Sequence, residues 1–337
     1  MSETVTIHAD THEIQTVFGE FDKNIRKIEE VFSVSTFYRD GILTISGEKT
    51  SAEQAGTVVH DLLHLAKNGN ELSDQAVDYA IKLAGNGEKE KVSDLSGDGD
   101  VICHTMTGRP VRPKTHGQKA YVRAIDENMI VFGTGPAGTG KTYLAMAKAI
   151  TAFKRGDVER IILTRPAIEA GEKLGYLPGD LQSKIDPYLR PLYDALCEIL
   201  GAESFQRNVE KGLIEVAPLA YMRGRTLDRA FIVLDEAQNT TESQMKMFLT
   251  RIGFGSKAVV TGDLTQKDLG GNTQSGLETA LKVVKGIEGI AEVGLTSVDV
   301  VRHPLVQKIV EAYEVYDKKK AARNSDRTDK HANKNRR

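Results

Sequence analysis

Residues Gly135–Ile150 read "GPAGTGKTYLAMAKAI". Gly135, Gly140, Lys141 and Thr142 fit the spacing G-x-x-x-x-G-K-[ST]. That spacing meets a specific demand: the chain must turn sharply from strand to helix while bare N–H groups converge on phosphate oxygens. Gly135, Gly138 and Gly140 permit the close approach. Pro136, Ala137 and Thr139 complete the loop, and the helix starting near Lys141 adds its positive end. Lys141 is then placed to reach the β- and γ-phosphates of a nucleotide, and the Thr142 hydroxyl to ligate Mg²⁺. The flanks agree with this reading. "NMIVFG" is an apolar strand, and "TYLAMAKAITAFKR" is a helix closed by Gly156.

Two more strand ends carry matching chemistry. "FIVLDEAQN" is an apolar strand running into Asp235 and Glu236. The first carboxylate suits a hold on Mg²⁺, and the second is placed to polarise an attacking water. "VVTGDLTQKDL" offers Asp263 and Gln266 as sensors of the γ-phosphate, with the Gln266 amide near the water. Phosphoryl transfer also needs a positive charge on its transition state. Arg302 in "SVDVVRHPLVQKIV" is the preferred source and Arg251 in "LTRIG" the alternative. Lys141, Glu236, Gln266 and Arg302 form the expected catalytic set, with Thr142 and Asp235 on the metal.

From Thr115 to Asp317 the apolar runs "MIVFGTG", "RIILT", "IEVAP", "FIVLDEA", "KAVVTGD" and "AEVGLT" alternate with helical segments. Short continuous apolar runs of this kind predict an α/β fold with a parallel sheet buried on both faces. Residues 1–85 read as a small α+β domain. Ile25, Ile28 and Phe32 mark one helix, and "VSTFYR" and "ILTIS" flank an Asp40–Gly41 hairpin turn. Ala52, Ala55, Val58, Val59, Leu62 and Leu63 mark a second helix, and a third follows around Ser73–Leu83. Residues 86–114 read as a linker and a short hairpin around a Gly-Arg-Pro turn.

The chain has 337 residues, 40% hydrophobic and 27% charged, ordinary values for a globular protein. It has no apolar run long enough to cross a membrane and no basic-then-apolar start. Two cysteines, Cys103 and Cys197, in no metal-ligand spacing, fit a cytoplasmic setting. Residues 318–337 hold nine Lys/Arg and two Asp, a net +7, while the rest of the chain carries −9. A basic, disordered tail on an acidic body suits a nucleic-acid or ribosome contact, or else a solvated terminus that keeps the protein soluble.

The run of "THGQKAYVRAI", "GPAGTGKT", "TRPAIEAGEKLGYLPGDLQSKIDPYLRPLYDAL", "APLAYMRGRTL", "FIVLDEAQNTTESQMKMFLTRIG" and "VVTGDLTQKDL" resembles the PhoH family of bacterial ATPases over roughly residues 100–317. The resemblance implies a RecA-like P-loop NTPase core at 115–317, similar to the first half of superfamily-one helicases. It implies a KH-like N-terminal domain, although KH domains clamp RNA with a Gly-x-x-Gly loop and "FGEFDKN" supplies Gly19 alone. It also implies that Gln118 reads adenine, and that Arg165, Lys173, Arg223 and Arg225 contact RNA.

The function expected from residues and resemblance together is ATP·Mg²⁺ binding and hydrolysis, acting on single-stranded or ribosomal RNA. The second expectation is a nucleotide-gated adaptor for an RNA-processing nuclease. A small-molecule kinase is disfavoured, since no separate substrate lid is evident. One RecA-like domain leaves one side of its nucleotide open, so a homo-oligomer, a hexamer by preference, is expected to close it.

Overall fold

The computed structural model describes residues 2–69, 72–95, 97–166, 181–269 and 274–302, with scattered positions between 305 and 316. Lys173, most of the "TRPAIEAGEKLGYLPGDL" block and the 318–337 tail lie outside the described residues.

The N-terminal region begins with strand β1 (Ser2–His8), helix α1 (Thr11–Phe18) and helix α2 (Lys23–Phe32). Strands β2 (Ser35–Arg39) and β3 (Ile42–Glu48) follow, then helices α3 (Lys49–Lys67) and α4 (Asp74–Gly85). The antiparallel sheet has the order β1-β3-β2. Asp40 and Gly41 both take positive φ, 50° and 79°, as a tight two-residue hairpin turn needs. Ile14, Ile25, Ile28, Leu43, Ile45, Val58, Val59 and Leu62 build the core between sheet and helices.

Sequence reading missed β1 and α1. β1 keeps only Val5 and Ile7 half-buried among polar neighbours, and α1 buries only Ile14 and Val17, too few positions to stand out.

The stretch read as a linker is anchored. Val92 and Leu95 are buried in the N-terminal core. The buried Asp61 carboxylate of α3 accepts from the N–H groups of Val92 at 2.7 Å and Ser93 at 3.1 Å. A short hairpin, β4 (Cys103–His104) with β5 (Pro110–Val111), follows. The Met106 N–H at its turn donates to Glu198 O at 3.1 Å.

Helix α5 (His116–Glu127) leads to strand β6 (Ile130–Thr134), helix α6 (Lys141–Arg155) and strand β7 (Arg160–Arg165). Then come α7 (Leu181–Leu200), α8 (Ala202–Glu210), β8 (Ile214–Pro218), β9 (Ala230–Leu234) and α9 (Glu242–Leu249). Strand β10 (Lys257–Gly262), helix α10 (Gly276–Val283) and strand β11 (Ile290–Gly294) complete the domain.

All five strand pairings in this sheet are parallel, in the order β11-β6-β10-β9-β7-β8. Period two sorts its residues onto two faces. Val131, Ile161, Leu163, Val233 and Val259 face α5 to α8, whereas Phe132, Ile162, Ile232, Leu234 and Val260 face α9 and α10. Both faces are buried, which is why these strands read as unbroken apolar runs.

The order puts β10 between β6 and β9, so the three strand ends that carry the candidate chemistry lie side by side. Among the described residues, no helix is long and apolar enough to cross a membrane. A separate compact unit begins at Val301, with helical positions between 305 and 316.

Candidate nucleotide site

The loop between β6 and α6 is shaped by its glycines. Gly135 has φ 140°, and a Cβ there would stand 2.3 Å from the Leu295 carbonyl oxygen. Gly138 and Gly140 take φ 85° and 77°, and Gly140 caps α6. The loop is pinned from below: Gly135 N–H donates to Gly262 O at 3.2 Å, and Leu295 N–H donates to Thr134 O at 2.7 Å. The Lys141 side chain folds back over the loop. Its ammonium donates to Gly135 O at 2.7 Å, Pro136 O at 2.8 Å and Thr139 Oγ1 at 3.2 Å. Thr139 Oγ1 in turn donates to Pro136 O.

Asp235 and Glu236 stand at the end of β9, as the sequence predicts. Asp235 is 7% exposed, and its Oδ1 accepts from Thr142 Oγ1 at 2.6 Å and from Thr261 Oγ1 at 2.7 Å. Its Oδ2 lies 3.9 Å from Arg165 Nε. Glu236 is held in the left-handed region, φ 54° and ψ 39°. A non-glycine residue pays about 1–3 kcal/mol for such a conformation and keeps it only where its surroundings enforce it. Here they do: Arg165 Nη2 lies 2.9 Å from Glu236 Oε1, and the Gln238 amide donates to Oε2.

Asp263 and Gln118 act on the loop rather than reaching out of it. Asp263 Oδ2 accepts from Ala137 N–H at 3.2 Å, while its Oδ1 accepts from Thr265 N–H and Oγ1 at 2.9 and 2.6 Å. Gln238 Oε1 accepts from Asp263 N–H at 3.0 Å, so Gln238 ties the Glu236 corner to the Asp263 corner. Gln266 is exposed at the same end of the sheet, with its N–H on Asp263 O. Gln118 is only 4% exposed. Its Nε2 donates to Thr139 O at 3.0 Å and its Oε1 accepts from Lys114 N–H at 2.7 Å, so the amide braces the loop.

The candidate arginines occupy different settings. Arg165, expected on RNA, pairs with the two acids. Arg225, expected there too, is engaged by both Glu215 carboxylate oxygens at 2.6 and 2.7 Å. Arg223 is exposed. Arg251 O accepts from Leu227 N–H, and Leu227 precedes β9, whose opposite end carries Asp235. A five-residue strand spans about 17 Å, so Arg251 lies at the wrong end of the sheet to reach the site of its own chain. Arg302 belongs to the unit that begins at Val301.

Sequence reading missed the Thr261 hydroxyl and the Arg165 pairing. The available signal was a polar residue closing each apolar run, "VVTGD" and "IILTRP".

Tyr121 shows how tightly the strand behind the loop is packed. It is fully buried, and a Cβ on Gly133 would come within 2.5 Å of its ring. Burial, with the Asp235 charge nearby, pushes its hydroxyl pKa far above the usual range, so it stays neutral.

The residues present fit Mg²⁺. Thr142 and Asp235 offer one hydroxyl and one carboxylate oxygen at a shared point. Among the described residues, no three His, Cys, Asp or Glu side chains form a metal cage. Mg²⁺ in phosphate sites takes just such sparse protein ligation, leaving its other positions to water and phosphate.

A glycine loop feeding a helix, a threonine and an aspartate that meet, and a parallel sheet with β10 inserted between their strands define a P-loop NTPase. Residues 110–314 match the family model described as PhoH-like protein. A "PhoH-like protein" of Bacillus subtilis (strain 168) is 51% identical over 302 residues, covering 90% of this chain and 94% of the relative. One from Mycobacterium tuberculosis (strain ATCC 25618 / H37Rv) is 53% identical over 302 residues, covering 89% and 85%. "Protein PhoH" of Escherichia coli (strain K12) is 46% identical over 233 residues, covering 67% and 66%. Among solved structures, the Sulfolobus solfataricus SWI2/SNF2 ATPase core in complex with dsDNA aligns at 14% identity with a TM-score of 0.30, covering 50% of this chain and 34% of that one. The chain belongs to the PhoH-like protein family.

The loop geometry makes one substitution decisive. Gly135→Ala combines a disfavoured φ with a 2.3 Å clash against backbone, which cannot step aside. It should abolish measurable ATP binding in a fluorescent-nucleotide titration while the far-UV circular dichroism stays folded. Wild-type affinity in that variant would contradict the loop geometry.

Proposed function

We propose that this protein binds ATP with Mg²⁺, hydrolyses it, and couples turnover to RNA or ribonucleoprotein. The observation that carries the ATPase reading is the meeting of Thr142 with Asp235 at 2.6 Å, with Lys141 over the loop and Glu236 one residue on. Lys141 would move from loop carbonyls to the β- and γ-phosphates, and Thr142 and Asp235 would hold Mg²⁺. Bound there, Mg²⁺ supplies charge neutralisation at the phosphate oxygens. Glu236 orients and polarises the attacking water, with Gln266 beside it.

The RNA part of the reading is supported by the β1-β3-β2 antiparallel module with its packed helices, which resembles a KH-like domain. The exposed Arg223 and the basic composition of 318–337 support it too. The adaptor reading is favoured by one feature: both carboxylate oxygens of Glu236 are already engaged, which suits slow turnover.

Glu236→Gln should leave ATP affinity within about twofold of wild type and lower phosphate release by roughly 100-fold or more, the usual range for loss of a general base. Measured with and without single-stranded RNA, the same assay separates a strand-acting ATPase from an adaptor. Turnover near the wild-type rate in the glutamine variant would remove Glu236 from the mechanism.

A single RecA-like domain would leave one side of its nucleotide uncovered, and electrostatic stabilisation of a transition state is weak where water enters. A neighbouring copy closing that side, with Arg302 or Arg251 supplied in trans, is the simplest completion. Light scattering with a non-hydrolysable ATP analogue should then give a mass several-fold above 36.9 kDa. Mixing Lys141→Ala with Arg302→Ala or Arg251→Ala chains should restore activity for whichever arginine crosses. A monomer with full activity would refute this assembly.

A further inference from the structure

Arg165 is a charged group at the site acids to which the hydrolytic scheme above gives no role. It ends β7, the neighbour of β9 on the side away from β10 and β6. It therefore approaches the acids from the flank opposite the phosphate loop. The two oxygens of Asp235 divide accordingly: Oδ1 takes the Thr142 and Thr261 hydroxyls on the loop side, and Oδ2 faces Arg165. On Glu236 the guanidinium sits 2.9 Å from Oε1 while Gln238 holds Oε2.

The guanidinium on one oxygen and the amide donor on the other take two of the about four acceptor sites of the Glu236 carboxylate, and the guanidinium offsets its charge, so it polarises water less than a free carboxylate would. The Arg165 side chain is 21% exposed, so the pair is partly desolvated yet open to an incoming anion. Guanidinium binds phosphate oxygens with the same bidentate geometry that it uses on carboxylates.

We propose that Arg165 is a latch on Glu236: it holds the water-polarising carboxylate in check until a phosphodiester of single-stranded RNA draws the guanidinium off. The proposal rests on the ATPase and RNA-coupling readings above and gives them a regulator. Arg165 acts through Glu236 and is a positioning residue. RNA-phosphate binding and Glu236 release become alternative states of one side chain, so strand binding and turnover are coupled without a second motor domain. The side of approach favours a strand phosphate over the γ-phosphate, because the γ-phosphate enters from the loop flank.

The test uses the full chain and steady-state ATP hydrolysis with and without poly(U) at fixed salt. In Arg165→Ala and Arg165→Gln, basal kcat should rise roughly tenfold, equivalent to a modest fall in the barrier. KM for ATP should stay within about twofold, and poly(U) should add nothing further. Arg165→Lys, which keeps the charge, should retain a low basal rate and some stimulation. Gln removes the charge that holds Glu236 in check while keeping a polar side chain of similar reach, so it carries the same expectation if the alanine variant does not fold.

A fall in basal kcat in the Ala or Gln variant would overturn the latch and make Arg165 a direct stabiliser of the reaction. Equal poly(U) stimulation in variant and wild type would also overturn it, as would a wild type indifferent to poly(U). In all of those cases ATP hydrolysis stands, and only the indifferent wild type also removes the coupling to RNA. Hydrolysis absent from wild type, or unchanged by Lys141→Ala, would instead sink the ATPase reading and the latch with it.

Discussion

The Asp235 carboxylate is the point from which the rest of the site is organised. It is buried at the end of β9 and accepts the hydroxyls of Thr142 and Thr261, so one charge ties the first turn of α6 and the end of β10 to the end of β9. Hydrogen bonds to an ionised group contribute about 1.5–3 kcal/mol each, and a buried carboxylate stripped of them would be costly. The constraint extends outward. Only the order β6-β10-β9 brings the phosphate loop, Gly262–Asp263 and Asp235–Glu236 to one edge, and only a parallel sheet puts all three at C-terminal ends.

A second layer of hydrogen bonds fixes the loop before any ligand arrives. Asp263 holds Ala137, Gln118 holds Thr139, and Gln238 joins the Asp263 and Glu236 corners. Gln118 lies on α5, and the first turn of that helix is held by the N-terminal domain. The Tyr79 hydroxyl of α4 accepts from His116 N–H at 2.9 Å, with the two rings 6.2 Å apart. Burial, helped by the Asp299 and Glu90 charges and opposed by the His116 hydrogen bond, pushes the Tyr79 pKa up to about 12, so it remains a neutral hydroxyl across the physiological range. The N-terminal domain thus touches the helix that braces the phosphate loop.

The sheet was legible because burial on both faces forces continuous apolar runs, and all six expected runs became its strands. The phosphate loop was legible because its glycines answer a backbone demand that few sequences meet. β1 and α1 were not, because β1 half-buries only Val5 and Ile7 and α1 buries only Ile14 and Val17. The anchored linker was hidden for a related reason: its order comes from Asp61, about thirty residues upstream in α3, and no local pattern reports such a bond. Arginine roles were the least legible. Arg165, Arg225 and Arg251 look alike in sequence, yet one pairs with the site acids, one pairs with Glu215 and one sits at the far end of the sheet. Long cationic side chains take their partners from tertiary structure.

The most direct test of the account is the Mg²⁺ dependence of ATP affinity in Asp235→Asn. The asparagine keeps the shape and one acceptor oxygen, so the Thr142 and Thr261 bonds and the fold are preserved while the charge is lost. Calorimetric titration of wild type should show ATP affinity rising with Mg²⁺. The variant should lose most of that rise, by roughly tenfold or more, and keep its Mg²⁺-free affinity. The same Mg²⁺-dependent gain in both proteins would contradict the assignment of Asp235 to the metal and, with it, the organisation of the site around that carboxylate.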